Sequence, residues 1–253
     1  MRTSSERQNG LVAVLDALGA SNYTDQEIRR FIRSREIVLE LLNEKVGDLS
    51  LDSNAVSIFT FNDTILIVLK TGDDVASLDD IRSFFLLLRK FIADSLNHRI
   101  MFRGAIAEGT FYANDETNTV MGQAVTDAAA WYDKADWIGI HATPRTSLVI
   151  SRSLDMAAVN KYNLIIDYDV PLRSGGTIHV KAVNWAKAFF LPDISPCEDG
   201  ESPRCKLLEL LTMHQIPNGT ENKFINTLSF FDHVASMEEN RAPKNKLLVK
   251  TKK

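Results

Sequence analysis

Cysteine is scarce in this sequence, and long apolar runs are missing. The 253 residues include 2 cysteines, Cys197 and Cys205, with no histidine close by in sequence, which argues against a zinc site. Because the polar N-terminus carries no export signal, reduced thiols are favoured over a disulfide, and we expect a cytoplasmic protein. No segment approaches the ~20 apolar residues that a membrane span requires.

An excess of charge of one sign is also missing. The net charge is −4, and acidic and basic residues are interspersed, so the sequence predicts neither nucleic acid nor membrane as a partner. The exception is the basic end, residues 244–253, which is typical of a solvated tail. With 45% hydrophobic and 25% charged residues, the composition is that of a soluble globular protein.

Residues 57–68 are the stretch around which the chain is organised. β-Branched, aromatic and aliphatic residues flank Asn62-Asp63 on both sides, which predicts a hairpin with a two-residue turn. The turn places the carboxylate of Asp63 at the tip of the hairpin. An earlier apolar run, residues 11–15, predicts a strand that ends at Asp16.

If these strands are neighbours in one sheet, Asp16 and Asp63 converge where a divalent ion can bind. Mg²⁺ is usually bound through one or two carboxylates together with substrate phosphates. Taken singly, each aspartate is more often structural, because Asn-Asp is common turn chemistry. The pair in one sheet is what favours a metal site.

The other elements follow alternating helical and strand patterns. Thr24 and Glu27 have the spacing of a capping box, and a second helix with a wide apolar stripe begins near Ser77. The first helix has its apolar positions at Ile28, Phe31, Ile32, Val38, Leu41 and Leu42. Further strands are predicted over residues 100–112, 117–121, 148–151, 164–168 and 178–185, and further helices over residues 123–134, 206–214 and 221–237.

This order of elements predicts an α+β fold with a ferredoxin-like βαββαβ core. A proline-rich and acidic loop follows Leu191, and the segments after it are helical in pattern. We therefore expect one α+β domain over residues 1–190 and a helical C-terminal extension over residues 191–253, which ends in the basic tail.

Five segments resemble, in order, the motifs of the class III nucleotidyl cyclases over about residues 10–190. Residues 16–20 resemble Asp-Ile-x-Gly-Phe, and residues 61–63 stand where the family has Ile-Gly-Asp. The resemblance implies that Asp16 and Asp63 are catalytic and bind two Mg²⁺ or Mn²⁺ ions. It also implies that the backbone amides of Ala17, Leu18 and Gly19 lie against the triphosphate, and that the fold is the class III cyclase core.

The remaining three segments concern phosphate contacts and the transition state. Residues 103–109 resemble Arg-Ile-Gly-Ile-x-x-Gly, whose Arg contacts phosphates, and residues 180–181 resemble the late strand with a phosphate-binding Lys. This implies substrate contacts from Arg103 and Lys181. Residues 122–130 align with Gly-x-x-Val-Asn-x-Ala-x-Arg, which places Thr126 at the catalytic position of the transition-state Asn, and Ala130 replaces the Arg.

The positions that read the base also depart from the purine cyclases. Phe59 stands where adenylyl cyclases have Lys and guanylyl cyclases have Glu, and its partner position is Thr119. An aromatic side chain there removes the hydrogen-bond code for purines and favours a smaller base. This combination resembles the pyrimidine cyclases of the bacterial Pycsar antiphage systems, which share the Arg-Gly-Ala-Ile strand.

That resemblance implies a cyclase that converts UTP, less readily CTP, to the 3′,5′-cyclic monophosphate and pyrophosphate. The product would activate a separate effector in antiphage defence. The resemblance also implies a homodimer with its active sites at the interface. One protomer would supply Asp16 and Asp63, and the other the side chains of Phe59, Thr119, Thr126 and Lys181.

Structural roles compete with several of these assignments. Phe59 fits equally well as a core residue and Lys181 as a solvated strand residue, whereas Thr126 fits a helix start better than a catalyst. A phosphate role is favoured for Arg103, because a planar, always charged guanidinium suits triphosphates. None of the five histidines is assigned a catalytic role.

Two other functions remain open. A cyclase-fold nucleotide-binding or regulatory module that has lost its chemistry is supported by the missing Asn and Arg, although both metal carboxylates are kept. A palm-type nucleotidyl transferase is disfavoured, because the sequence lacks the basic surface that would bind a template.

Overall fold

The computed structural model describes residues 7–19, 23–48, 55–72, 78–153, 163–191, 201–213 and 219–241. Over these ranges the elements are, in chain order, β1 (Arg7–Ala17), α1 (Asp25–Asp48), β2 (Val56–Phe61), β3 (Thr64–Gly72), α2 (Leu78–Asn97), β4 (Phe102–Asn114), β5 (Thr119–Met121), α3 (Gln123–Ala129), β6 (Gly139–Ala142), α4 (Pro144–Ser153), β7 (Ile165–Pro171), β8 (Thr177–Val183), a 3-10 helix (Ala186–Phe190), α5 (Pro203–Thr212) and α6 (Glu221–Arg241).

The strands form one 8-stranded sheet in the order β2-β3-β1-β4-β6-β8-β7, and β5 pairs with β4. The first four strands pair antiparallel in the order β2-β3-β1-β4, with α1 and α2 as the connections. This is the ferredoxin-like βαββαβ arrangement. The prediction of an α+β fold with this core is confirmed.

The sheet buries apolar side chains on both faces. Because successive strand residues point to opposite faces, Leu11 and Leu15 of β1 join the larger cluster with α1, α2, α5 and α6. Val12 and Val14 join a smaller cluster against α3. By the same alternation, Asp16 is on the α3 face, at the end of the strand.

The first helix begins as the capping box predicts. The backbone N–H of Thr24 donates to Glu27 Oε2 over 2.8 Å, and the N–H of Glu27 faces Thr24 Oγ1 at 3.5 Å. Its apolar stripe is narrower than predicted, because Ile28 and Ile32 are 42% and 40% exposed. The buried residues of α1 are Phe31, Val38, Leu42 and Val46.

The structure departs from the predicted elements in several places. The strand predicted over residues 148–151 is wrong, because these residues lie in α4. That helix has Pro144 at its first position, and Thr143 Oγ1 accepts a hydrogen bond from the N–H of Thr146 over 3.3 Å. The short strand β6 was not predicted, and α3 ends at Ala129, before residue 134.

The C-terminal helices pack into the larger cluster of the sheet. Leu207 of α5 and Phe230, Phe231 and Val234 of α6 are buried in it. The division of the chain into residues 1–190 and 191–253 stays a prediction. Cys205 is an exposed free thiol, whereas Cys197 and the basic tail lie outside the described residues. In the described parts of the chain, no helix combines the length and the apolarity needed to span a bilayer.

Candidate active site

The turn between β2 and β3 lies against the end of β1. Asn62 adopts a φ of 52°, in the left-handed region that a two-residue hairpin turn requires. Asp16 pairs with Thr64 across the β1–β3 ladder, and the N–H of Ala17 donates to Asp63 O over 3.1 Å. Asp16 and Asp63 therefore end two neighbouring strands, as the sequence predicts.

Arg103 of β4 forms an ion pair with Asp16 from the other side. The two residues are opposite each other in the β1–β4 ladder. Arg103 Nη2 and Nε both donate to Asp16 Oδ2, over 3.0 Å and 3.2 Å. The Arg103 side chain is 12% exposed and that of Asp16 is 16% exposed, so the pair is largely withdrawn from water.

The surroundings of Asp16 shift the pKa of its carboxyl group in opposite directions. Burial raises its pKa above the ordinary value, Arg103 partly offsets this, and the nearby carboxylates of Asp63 and Asp133 raise the pKa further. The pKa of Tyr132 is raised by burial and by the charge of Asp16. Asp63, Asp133 and Arg103 are therefore all close enough to Asp16 to influence its charge.

Asp133 and Tyr132 belong to this site, and the sequence analysis did not select them. Arg103 Nη1 donates to the backbone carbonyl of Asp133 over 3.3 Å. In the sequence the two residues read as the last turn of a helix over residues 123–134. No local pattern signalled their position, because the contact with Arg103 spans 30 residues of chain.

The backbone of the loop after Asp16 is hydrogen-bonded to other parts of the chain. The N–H of Leu18 donates to Met101 O over 2.8 Å, and Tyr23 Oη donates to Leu18 O over 3.3 Å. Gly19 has a φ of 86°, which favours glycine. Since the amides of Ala17 and Leu18 already have backbone acceptors, they contact a triphosphate only after these bonds are released.

The other residues of the predicted site lie elsewhere on the chain. Phe59 is 1% exposed within the smaller apolar cluster. Lys181 Nζ is 2.7 Å from Asp167 Oδ1, and its side chain is 6% exposed. The hydroxyls of Thr119 and Thr126 donate to the carbonyls of Thr117 and Gly122.

Within the described residues, no hydrogen bond or ion pair joins these four side chains to the cluster around Asp16. The structure thus brings together Asp16, Asp63, Arg103 and the loop that starts at Ala17. The remaining predicted residues are not part of this cluster in one protomer.

The donor set at Asp16 and Asp63 fits a hard divalent cation that is completed by other ligands. The described residues contain no group of three or more histidine, cysteine, aspartate or glutamate side chains able to hold a metal ion. Two carboxylates nevertheless suffice for Mg²⁺ when substrate phosphates supply further oxygens. Asp16 Oδ2 is the acceptor of Arg103, so a cation held by Asp16 would compete with the guanidinium for this carboxylate.

Comparisons with known proteins give similarities to solved structures only. No protein-family model matches the sequence, and no curated protein sequence matches it. The adenylyl cyclase CyaB from P. aeruginosa is 12% identical, with 70% of this chain and 94% of that chain covered and a TM-score of 0.43. The guanylyl cyclase Cya2 is 12% identical, with 72% and 94% covered and a TM-score of 0.46.

A third similar structure is the catalytic core of a rhodopsin-guanylyl cyclase with converted specificity, in complex with ATPalphaS. It is 13% identical, the comparison covers 72% of this chain and 98% of that chain, and the TM-score is 0.48.

Proposed function

We propose that this protein is a metal-dependent nucleotide cyclase that acts on pyrimidine nucleoside triphosphates, on UTP in preference to CTP. The observation that carries the proposal is the convergence of Asp16 and Asp63 at neighbouring strand ends, with Arg103 beside them. Two carboxylates, which are hard oxygen donors, and the guanidinium of Arg103 therefore lie at a single edge of the sheet. A triphosphate and its divalent cations need both kinds of group.

In this proposal Asp16 and Asp63 would hold two Mg²⁺ or Mn²⁺ ions. Such ions stabilise the charge that develops on the attacking and leaving oxygens of an in-line displacement. The 3′-oxygen of the ribose bonds to the α-phosphorus, the bond to pyrophosphate breaks, and the hydroxyl proton passes to solvent. The two aspartates orient the substrate for this step, since strand ends in a packed sheet are rigid.

Arg103 neutralises the leaving pyrophosphate. Its guanidinium is anchored through Nη1 to the carbonyl of Asp133, while Nε and Nη2 face Asp16. The donors at Nε and Nη2, which are directed at Asp16, are the ones that would contact phosphate oxygens. The planar fork suits such bidentate contacts.

Homodimerisation completes the site in this proposal. Among the described residues, no hydrogen bond or ion pair joins Phe59, Thr119, Thr126 or Lys181 to the cluster around Asp16. In this proposal a partner protomer supplies these four side chains. Of these, Thr126 is an exposed side chain on α3. Lys181 has first to release Asp167 before it can bind a phosphate.

The preference for a pyrimidine depends on Phe59. Its burial supports an indirect role, in which the ring fills the space that a base-reading side chain occupies in purine cyclases. A cyclic pyrimidine nucleotide that activates a separate effector in antiphage defence is the corresponding biological role.

A second candidate function is a cyclase-fold module that binds nucleotides and no longer turns them over. Thr126 and Ala130 offer neither the amide nor the guanidinium of the family motif. The amides of Ala17 and Leu18 are also engaged with backbone carbonyls.

One assay separates the two candidates. The purified protein is incubated with ATP, GTP, CTP or UTP and Mn²⁺, and products are separated by chromatography. We expect 3′,5′-cyclic UMP as the main product, its loss on addition of a chelator, and its loss in the isosteric variant Asp63→Asn. Retained nucleotide binding with no turnover of any nucleotide would establish the second candidate instead.

A further inference from the structure

One face of the C-terminal helix α6 contacts the chain segment that follows Asp133 of the candidate active site. Lys223, Asn226, Thr227 and Phe230 are spaced i, i+3, i+4 and i+7, so they share one helix face. All four contact the three residues Asp136, Trp137 and Ile138, which we call the 136–138 segment.

The contacts are polar and specific at both ends of the segment. Lys223 Nζ lies 3.3 Å from Asp136 Oδ1, and Asn226 Nδ2 donates to the carbonyl of Asp136 over 2.8 Å. The N–H of Ile138 donates to Thr227 Oγ1 over 2.9 Å. The Thr227 hydroxyl donates in turn to the carbonyl of Lys223, so its oxygen is oriented to accept.

These groups are enclosed by aromatic packing. Thr227, Trp137 and Ile138 are each 0% exposed. Trp137 meets Phe230 edge to face, with ring centroids 4.8 Å apart, and stacks on Tyr168 at 5.6 Å. Without Thr227 Oγ1, the N–H of Ile138 is left buried and unpaired, a costly arrangement that the segment relieves only by moving.

The 136–138 segment is close in sequence to the site. Asp133, three residues before Asp136, accepts a hydrogen bond from Arg103 Nη1 through its carbonyl, and Arg103 holds Asp16 with its other nitrogens. On the opposite side, the N–H of Asp136 donates to Pro171 O and the N–H of Arg173 donates to Lys134 O. Residues 133–138 are thus fixed at several points between α6 and Arg103.

We propose that α6 positions the candidate active site, with Thr227 as its main positioning residue. Thr227 and Lys223 fix the 136–138 segment, the segment places the carbonyl of Asp133, and that carbonyl holds the guanidinium of Arg103 in line with Asp16. The effect on turnover rests on the proposed function. The effect on Arg103 itself does not.

A purely structural role for α6 predicts a different outcome. In that case a change at Thr227 lowers stability and affects the site no more than any other core defect. Thr227→Val is the informative variant, because it keeps the shape and removes the acceptor. Thr227→Ser restores the acceptor.

Ser229→Ala is a matched control, since the hydroxyl of Ser229 donates to the carbonyl of Ile225 on an exposed face of the same helix. Val38→Ala in α1 is a control for stability.

The experiment uses the full chain and three measurements. The first is the thermal unfolding temperature of each variant. The second is the Nε–H signal of Arg103 in a ¹H–¹⁵N NMR spectrum, assigned by its loss in Arg103→Lys. The third is kcat and KM for UTP with Mn²⁺.

We expect Thr227→Val to shift or broaden the Arg103 signal and to lower kcat about tenfold, with a smaller effect on KM. Thr227→Ser restores both, and Ser229→Ala and Val38→Ala change neither, although Val38→Ala lowers the unfolding temperature. An unchanged Arg103 signal in a folded Thr227→Val protein overturns the proposal, and so does an equal loss of kcat in Val38→Ala.

Two further outcomes are informative. If the wild-type protein turns over no nucleotide but Thr227→Val still moves the Arg103 signal, the positioning role stands and the proposed function fails. If Thr227→Val does not fold, Lys223→Met removes the ion pair to Asp136 at the half-buried edge of the same contact. Its Arg103 signal then decides the proposal by the same criterion.

Discussion

Arg103 Nη2 lies 3.0 Å from Asp16 Oδ2, across two paired strands and with little access to water. The carboxylate proposed to bind a cation thus has its own counter-ion within the chain. A guanidinium in this position partly offsets the rise in the pKa of Asp16 that burial causes. In the proposed function, the same guanidinium would contact phosphate oxygens of the substrate.

Replacement of Arg103 by Gln leaves Asp16 half-buried without its partner. We expect the free energy of unfolding in urea to fall by about 1–3 kcal/mol, because an uncompensated charge in a poorly solvated place is costly. Arg173→Gln is the control. The Arg173 side chain is 52% exposed and its Nη1 is 3.9 Å from Asp133 Oδ2, so its loss is expected to change stability by less than about 0.5 kcal/mol. Equal effects of the two substitutions contradict the burial argument.

Gly104 lets β4 approach β1 beside the Arg103–Asp16 pair. A Cβ atom at this position would lie 2.5 Å from Leu15 Cδ2 and 2.6 Å from Val14 O. We expect Gly104→Ala to destabilise the protein by about 1–3 kcal/mol and to lower cyclase activity, because the strands have to separate. Gly47→Ala, in α1 with nothing within 4 Å of the added carbon, is expected to be neutral or slightly stabilising. Chemical denaturation of both variants measures the contrast.

Phe59 and Phe61 lie two residues apart on β2, but only Phe59 is buried. Phe59 is 1% exposed and Phe61 is 43% exposed. We expect Phe59→Ala to cost about 3–5 kcal/mol of unfolding free energy and Phe61→Ala less than about 1 kcal/mol. Urea titrations give both values. A Phe59→Ala protein with nearly unchanged stability would speak for a side chain that leaves the core to meet the substrate.

His141 makes the protein sensitive to mild acid. Its ring is 0% exposed, and burial lowers its pKa from 6.5 to about 4. A group with a lowered folded-state pKa contributes stability above its unfolded value and loses it as the pH falls toward the folded value.

We therefore expect the wild-type protein to lose about 3 kcal/mol relative to His141→Gln between pH 6.5 and pH 4, and no more below pH 4. Unfolding free energies measured across this range test the difference. Parallel curves for the two proteins are inconsistent with a buried neutral imidazole.

Short-range chemistry explains which parts of the fold could be predicted. The hairpin at Asn62-Asp63 and the helix start at Thr24 depend on residues within a few positions of one another, and both are present. The strand predicted over residues 148–151 was wrong because the three-residue apolar run, residues 148–150, fits either a strand or a helix. The local signal for a helix is the Thr143-Pro144 pair, in which Thr143 precedes a proline at the first helical position.

The sequence alone determined the ferredoxin-like order of the elements and the placing of Asp16 and Asp63 at strand ends, because side-chain alternation and turn chemistry are local. Only the tertiary structure decided that Arg103 pairs with Asp16 and that the carbonyl of Asp133 accepts from Arg103. The same holds for the hydrogen bond between Thr227 and the 136–138 segment. Those contacts link residues 30 to 89 positions apart. No local pattern encodes them, since they exist only once the sheet and the packing of α6 have brought distant parts of the chain together.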